Sequence, residues 1–416
     1  MLDIKKIREE TKDIEISLKK RLGDVDLGLD KIIKLDDSRK ELIGKLENLK
    51  AEKNKLSKTK PDEETIKNIK ENNVNIKNLE EELKKVEDDL RERMLGLPNI
   101  VADEVVSGGK ENNKVSYTFK EKPQFSFKAK DHVELAENLD IIDYKRAAKM
   151  SGSGFWIYKK EGALLEWALL NYFIDFHTKN NYNFILPPFL LNEASAYASG
   201  HMPKFRDDLF WVEDGLCLNA TSEMMLGNYH RDEILKEEDL PLKYFAYSAC
   251  FRREAGSYRQ EERGMIRGHQ FNKIEMFQYT KAEDSWNSFE EMKNYATKLL
   301  EGLGLHFQIS DLAAGDCSSA MAKTVDLEVW IPSMNIYKEV SSVSNALDYQ
   351  ARRGNMRYKN KEGKIEFLHT LNASGLATSR LLPAILEQNQ QEDGSVLIPE
   401  ILKKFLPIKL DKISSK

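Results

Sequence analysis

Apolar residues recur through the first hundred positions at steps of three, four and seven. Ile4, Ile7 and Ile14 fall on one side of a helix over residues 1–22. A long run then carries Ile32, Leu35, Leu42, Leu46, Leu49 and Leu56, and a second carries Ile66, Ile69, Ile76, Leu83 and Leu90. That spacing is the narrow seam of paired helices. Between the runs lies Ser57-Lys-Thr-Lys-Pro-Asp62, whose Pro61 suits the first turn of the second helix. Two stripes joined by so short a link predict an antiparallel helical hairpin. Thirty residues of helix extend roughly 45 Å, so an arm projecting from a globular body is expected. Leu97-Pro98-Asn99 ends it.

Beyond the arm the pattern changes. Residues 100–130 hold few apolar positions and the pair Gly108-Gly109, and read as loop and short strands. From about residue 131 the composition becomes mixed and globular. Leu165, Ala168, Leu169, Tyr172 and Phe176 mark a helix over residues 164–176, and strand-like runs cover 182–186, 244–251, 269–279 and 325–331. No regular βαβ alternation appears. The expectation is an α+β fold: an N-terminal antiparallel coiled-coil hairpin, residues 1–100, and a second domain, residues 101–416, built on an antiparallel β-sheet flanked by helices.

Composition adds limits. A chain of 416 residues with 41% hydrophobic side chains can bury a large core, and 32% charged residues suit a long solvated helix. Sixty-four Lys and Arg against 69 acidic residues leave a net charge of −5, so a nucleic-acid partner would need a local basic face. The first arm helix offers one, with Lys45, Lys50, Lys53 and Lys55 continuing into Lys58 and Lys60; the second is acidic, with Glu80, Glu81, Glu82, Glu87, Asp88 and Asp89. Two readings stand: faces that neutralise each other in solvent, or a phosphate-binding ridge. Cys217, Cys250 and Cys317 form no CxxC pair, which argues against a disulfide framework or structural zinc. The opening MLDIKKIREETKD lacks an apolar signal core and no stretch approaches a membrane span, so a cytoplasmic protein without a membrane partner is expected.

The chemistry concentrates in residues 250–278. An apolar strand delivers Arg252-Arg253-Glu254, a polar loop follows, and a second strand returns through His269-Gln-Phe271 to Glu275. This is a hairpin with charged groups on one face. Arg252 can grip a pair of anionic oxygens with its planar fork. Phe271 offers a flat face to a purine, and Glu275 can hold an ammonium group. Together they fit ATP-dependent activation of an amino acid. Taken singly, each has a plainer reading: Arg252 in a surface ion pair with Glu254, Phe271 in core packing, Glu275 in a strand salt bridge with Lys273. Cys317 and His269 read as a packed thiol and a structural hydrogen-bonding group, not as catalytic residues.

This hairpin, the segment Leu371-Asn-Ala-Ser-Gly-Leu-Ala-Thr-Ser-Arg380 and the N-terminal arm together resemble the class II aminoacyl-tRNA synthetases, and among them most closely the seryl-tRNA synthetase family, over essentially the whole chain. Three stretches are similar to the class II motifs: 164–188, ending in Pro187-Pro188 and placed by the family at a homodimer interface; the 250–278 hairpin; and 375–390, a strand entering a helix with Arg380 at its start. The resemblance implies serine activation by ATP and transfer to the 3′ end of tRNA(Ser), with tRNA(Sec) as a further substrate and Mg²⁺ as cofactor. It assigns Arg252, Arg267 and Arg380 to catalysis. ATP binding would take these arginines with Arg253, Glu254, Phe271, Glu339, Val340, Ser341 and Ser342. Serine binding would take Thr221, Ser222, Glu223, Arg252, Glu275 and Ser374. Glu339 and Ser342 would hold the metal, although Glu339-Val-Ser-Ser342 by itself reads as a capped turn. The loop Tyr258-Arg-Gln-Glu-Glu262 is bulkier and more charged than the family pattern, and Gly154 and Ala373 also depart from it.

Two other readings stay open at this point. An amino acid:carrier-protein ligase would share the catalytic fold, though such relatives generally lack the arm. A non-catalytic RNA-binding relative could lose pocket arginines freely, whereas Arg252, Arg267, Glu339 and Arg380 are all present.

Overall fold

The structure is a computed structural model that describes residues 1–56, 62–255 and 264–415. The expected turn Ser57–Pro61 and the loop Tyr258–Glu262 lie outside the described residues. The chain divides into two compact units, Met1–Lys19 with Gly23–Pro98, and Lys20–Leu22 with Asn99–Lys416.

The first unit is helical. The expected single helix over residues 1–22 is two, α1 (Ile4–Glu9) and α2 (Thr11–Leu22). The chain breaks at Glu10, at φ −121° and ψ 33°, and the Thr11 hydroxyl donates back to the Ile7 carbonyl at 2.6 Å. Ile7 and Ile14 are buried as the spacing required. Then come α3 (Leu29–Leu56) and α4 (Glu63–Gly96), the latter capped by Asp62, which accepts from the Thr65 N–H. The two pair antiparallel, since Lys50 of α3 meets Glu80 of α4 at 2.8 Å while the earlier Lys45 lies near the later Glu82. Only Ile32, Leu42, Ile76 and Leu90 of the stripes are fully buried, and Ile66 is exposed. Two helices cannot enclose a seam on all sides, so most stripe residues keep one flank in water. A buried acid interrupts the apolar stripe: Asp36 is 1% exposed and bound by Arg8, Arg39 and Lys40 at 2.6–2.9 Å. Burial alone would raise this carboxyl, but the hydrogen bonds from Lys40, Arg39 and Arg8 prevail and bring it to about 2.

The second unit is built on an eight-stranded sheet. Its strands are β1 (Lys114–Phe119), β2 (Asn183–Ile185), β3 (Leu242–Phe251), β4 (Gln270–Thr280), β5 (Phe307–Asp311), β6 (Lys323–Ile331), β7 (Ile336–Leu347) and β8 (His369–Ala377). Their spatial order is β1-β5-β6-β7-β8-β4-β3-β2. Every pairing is antiparallel except the edge pair β2–β3, which is parallel. Three helices, α5 (Lys160–Lys179), α6 (Ser285–Leu303) and α7 (Thr378–Gln388), cover one face. Leu169, Phe173, Met292, Leu299, Leu382 and Ile385 from these helices share one core with Ile274 and Met276 of β4, Val343 of β7 and Leu371 of β8. Alternation along β4 therefore sends Phe271, Lys273 and Glu275 to the opposite face. Farther along that face Phe277 and Tyr279 close a second core with Leu226 and Met356. Phe271, Lys273 and Glu275 are left between the second core and the strand end, on a stretch that no long helix among the described residues covers. Among the described residues no helix is long and apolar enough to cross a membrane.

Candidate active site

The β3–β4 hairpin sets the geometry. Cys250 pairs with Phe271 and Ala246 with Glu275, and beyond the last pair the Arg252 N–H donates to the His269 carbonyl at 3.0 Å. The His269 ring returns a bond, Nδ1 donating to the Arg252 carbonyl at 2.9 Å. These two contacts clamp the strand ends where Arg252 and Phe271 meet. Gly154, at φ +78°, lies so near that a Cβ there would sit 2.6 Å from the His269 ring; any side chain would displace the clamp. His269 is thus the structural group that its setting suggested.

At the strand ends lies a cleft of about 470 Å³, open mouth included, lined by Arg252, Glu254, Arg267, Phe271, Lys273, Glu339, Val340, Ser374 and Arg380 among others. Three guanidinium groups reach it from three elements. Arg252 follows β3, its Nε donating to the Ala220 carbonyl at 3.2 Å. Arg267 comes from the descending loop and pairs with Glu254 at 2.5 Å. Arg380 stands in the first turn of α7, bonded through Nε to the Ile266 carbonyl and through Nη1 to the Glu339 carbonyl, with the Glu339 carboxylate 3.6 Å away. Backbone carbonyls thus hold Arg252 and Arg380 in place, with Arg380 also paired to Glu339, and three guanidinium groups against two carboxylates suit polyanionic phosphate.

Behind Phe271 the cleft floor becomes an ion network. Lys273 Nζ donates to Glu275 Oε2 at 2.6 Å and to Thr221 Oγ1 at 2.6 Å. Glu275 also accepts from Asn372 at 3.3 Å and Ser374 at 3.4 Å. Glu223 accepts from Gln350 at 2.7 Å. Burial pushes both carboxyls up; the charge of Lys273 opposes this at each, and the charge of Glu223 adds to it at Glu275. Two buried carboxylates facing two cations make a pocket suited to a small zwitterion.

On the neighbouring strands Asp326 of β6 stands opposite Ser342 of β7. Its Oδ1 is buried and has no hydrogen-bond partner among the described residues. Burial, then the charge of Glu339, drive this carboxyl well above the usual range, and a bond from Ser342 only partly offsets them. An orphaned carboxylate oxygen beside a second carboxylate and a hydroxyl is a donor set for a hard divalent cation. Among the described residues no cluster of three His, Cys, Asp or Glu side chains forms a self-sufficient metal cage. A cation here would share its shell with phosphate or water.

Not every expected residue converges. Arg253 is exposed and does not line the cleft; its N–H donates to the Asp208 carbonyl at 2.9 Å. Ser222 turns its hydroxyl inward to Ser248 at 2.7 Å. Ser341 is buried, its hydroxyl donating to the Ser374 carbonyl at 2.6 Å, so it braces β7 against β8. Cys317 is buried and burial raises its thiol, as suits a packed, unreactive residue. Lys273, Asn372, Gln350 and Asp326 join the site without having been expected there. Period-two spacing from Phe271 through Lys273 to Glu275 is a signal that could have found the first, and the charges Asp326 and Glu328 inside the apolar run 325–331 one that could have narrowed the search for the last.

Comparison with known proteins finds relatives along essentially the whole chain. Residues 1–101 match the model of the seryl-tRNA synthetase N-terminal domain, and residues 206–389 match that of the tRNA synthetase class II core domain (G, H, P, S and T). The chain is 55% identical to Serine–tRNA ligase 2 of Clostridium acetobutylicum, the alignment covering 98% of this chain and 99% of that one. It is 46% identical to Serine–tRNA ligase of Petrotoga mobilis, with coverage of 98% and 99%. Among solved structures, seryl-tRNA synthetase from Pyrococcus horikoshii complexed with ATP superposes with a TM-score of 0.91 at 33% identity, covering 100% of both chains.

Proposed function

The chain belongs to the seryl-tRNA synthetase family, and on that premise we propose that it is a serine–tRNA ligase of class II acting in the cytoplasm. In the first step an oxygen of the serine carboxylate attacks the α-phosphorus of ATP. The new P–O bond gives seryl-adenylate, and the bond to the β-phosphate breaks to release pyrophosphate. In the second step a ribose hydroxyl of the terminal tRNA adenosine attacks the acyl carbon and AMP leaves. The observation that carries the reading is the junction at Lys273, where a cleft lined by Arg252, Arg267 and Arg380 meets the buried Glu275–Thr221 pocket. Triphosphate and zwitterion would meet there.

The first step needs charge neutralisation and in-line alignment more than an acid or a base. Arg252, between the two subsites, bridges the carboxylate and the α-phosphate. Arg267 and Arg380 hold the outer phosphates, Phe271 stacks on adenine, and Glu254 accepts from its amino group. Glu275, Thr221, Glu223 and Ser374 receive serine. Since the Ser222 hydroxyl faces the core, its part is confined to its backbone. Glu339 and Ser342, with Asp326 beside them, would hold Mg²⁺, which when bound neutralises phosphate charge. Residues 1–100 form the tRNA-binding part and 101–416 the catalytic part. The partners are tRNA(Ser) and tRNA(Sec).

The reading includes a homodimer. β2 is one of the sheet's two edge strands, and around it Trp167, Phe184 and Leu186 are 55%, 41% and 70% exposed. An apolar sheet edge left bare invites pairing. Sedimentation of the intact chain tests this, and a monomer at micromolar concentration would count against it. The function itself is tested by ATP–pyrophosphate exchange against all twenty amino acids, then by charging of total tRNA. Exchange confined to serine and aminoacylation of tRNA are expected. Adenylate formation without tRNA charging would instead support a carrier-protein ligase.

A further inference from the structure

The cleft floor contains a buried cation that the two chemical steps do not use directly. Lys273 lines the cleft but is only 5% exposed. An ammonium has three N–H donors, and the contacts to Glu275 and Thr221, both at 2.6 Å, use two of them. Among the described residues the third has no hydrogen-bond partner, which leaves it for a ligand. Thr221 stands just ahead of the turn Glu223–Leu226, and its oxygen also accepts from the Glu223 N–H at 3.2 Å. Lys273 therefore ties the strand β4 to the 221–223 segment across the pocket. At Glu275 the four lone-pair sites of a carboxylate meet Lys273, Asn372 and Ser374. Among the described residues one site remains, so this carboxylate has a single, directed place for a donor from the ligand.

We propose that Lys273 is the positioning residue of the amino-acid pocket, joining the Glu275 carboxylate and the Thr221 hydroxyl into one rigid receptor for a small zwitterion. This rests on the reading of the cleft as a serine-activating site. The charge balance supports it. Glu223 and Glu275 balance Lys273 and Arg252, and a zwitterion enters that neutral set without adding net charge. The titratable and charged groups around Glu275 are Lys273 on its own strand, Glu223 from the turn, Cys250 and Arg252 from β3 and its end, and His201. Without Lys273, two buried acids would face one guanidinium. Glu275 would then keep a proton to higher pH, and a neutral carboxyl attracts an ammonium poorly.

The test is pyrophosphate exchange by the full chain and by Lys273→Met and Lys273→Arg variants, with serine and ATP varied separately across pH. For K273M the serine KM should rise at least about tenfold while the ATP KM stays within about twofold, and the acidic limb of kcat/KM for serine should move up by about one pH unit or more. K273R should return the limb to its original pH, since it restores the charge. It should not restore the serine KM, because a guanidinium fork cannot reproduce the ammonium contacts. Should K273M not fold, K273R alone decides: a raised serine KM with an unmoved limb supports the proposal, and an unchanged serine KM overturns it. An unmoved limb in folded K273M, or equal losses toward serine and ATP, overturns it too. If the parent chain shows no serine-dependent exchange, the functional reading fails and the proposal goes with it; serine exchange by the parent alongside an unaltered K273M removes the proposal alone.

Discussion

The guanidinium carbon of Arg252 lies 5.1 Å from the centre of the Phe271 ring. Phe271 pairs across the hairpin with Cys250, and Arg252 follows Cys250 by two residues, so the two side chains leave the hairpin on one face. A cation over a ring face is attracted by the ring quadrupole, so each group fixes the other before a nucleotide arrives. The two should nevertheless fail differently. Arg252→Ala removes charge from the point where both reactants meet, and serine-dependent exchange should fall by at least about a thousandfold. Arg252→Lys should recover little of it, because a point charge cannot grip two oxygens at once. Phe271→Ala should raise the ATP KM by about 5- to 150-fold, the equivalent of ~1–3 kcal/mol of lost stacking, and leave the serine KM nearly unchanged. Normal exchange in the Arg252→Ala variant would refute the role assigned to it.

The acids of β6 and β7 predict how the reaction depends on metal. Exchange should stop in excess chelator and return on adding Mg²⁺. Glu339→Gln should raise the Mg²⁺ concentration for half-maximal exchange by about 10–100-fold, the usual loss when a group that holds or orients a metal is removed. Asp326→Asn should act in the same direction, since it changes the carboxylate beside Ser342. A Mg²⁺ titration that superposes on the parent curve in both variants would show that neither carboxylate serves the cation.

What could be read in advance follows from the length scale of each signal. The arm was visible because α3 and α4 repeat one spacing for many turns, and the hairpin because β3 and β4 are long, apolar and joined by charged residues. The break at Glu10 was not, since one non-helical residue leaves the periodicity intact. The ridge of lysines needed coordinates as well: Lys50 is tied to Glu80 at 2.8 Å and Lys45 to Glu41 at 2.7 Å, so part of that charge is balanced within the arm. Arg252, Phe271 and Glu275 were legible as residue types suited to their chemistry. Whether a side chain faces the cleft or the core depends on partners far away in sequence. That is why Ser222 and Ser341, each beside an expected site residue, turn inward, and why Lys273 shows in the sequence only as a salt-bridge partner.

A buried acid away from the cleft gives a pH prediction. Glu166 on α5 is 2% exposed. Its Oε1 accepts from Asn272 at 2.7 Å and Thr378 at 2.6 Å, while Oε2 has no hydrogen-bond partner among the described residues. Burial raises this carboxyl to about 7 from an ordinary 4.5, against opposing hydrogen bonds from Thr378 and Asn272. Between those two values the native state binds more proton than the unfolded one, so stability falls as pH rises through the window and levels off above it. Glu166→Gln keeps an acceptor for Asn272 and Thr378 and has no charge to bury. It should flatten the decline and stabilise the protein at pH 8 by about 1–3 kcal/mol. Thermal unfolding of parent and variant from pH 4 to 8 checks this, and parallel curves would remove Glu166 as the cause.

The arm should separate the two chemical steps. Because α3 and α4 run antiparallel, excising residues 30–95 removes nearly all of both helices together. The triphosphate cleft and the serine pocket draw every one of their residues from positions beyond 200. Serine-dependent pyrophosphate exchange should therefore stay within about threefold of the parent, while tRNA charging falls by at least about a hundredfold. A milder test replaces Lys50, Lys53 and Lys55 with Gln. If they meet phosphates, tRNA affinity drops and the slope of log K against log salt decreases by about 0.7–0.9 for each phosphate no longer neutralised. Binding RNA through Lys50 means leaving Glu80, which reduces the net gain at that position. Affinity and slope both unchanged would mean that the charged faces of the arm serve only each other and the solvent.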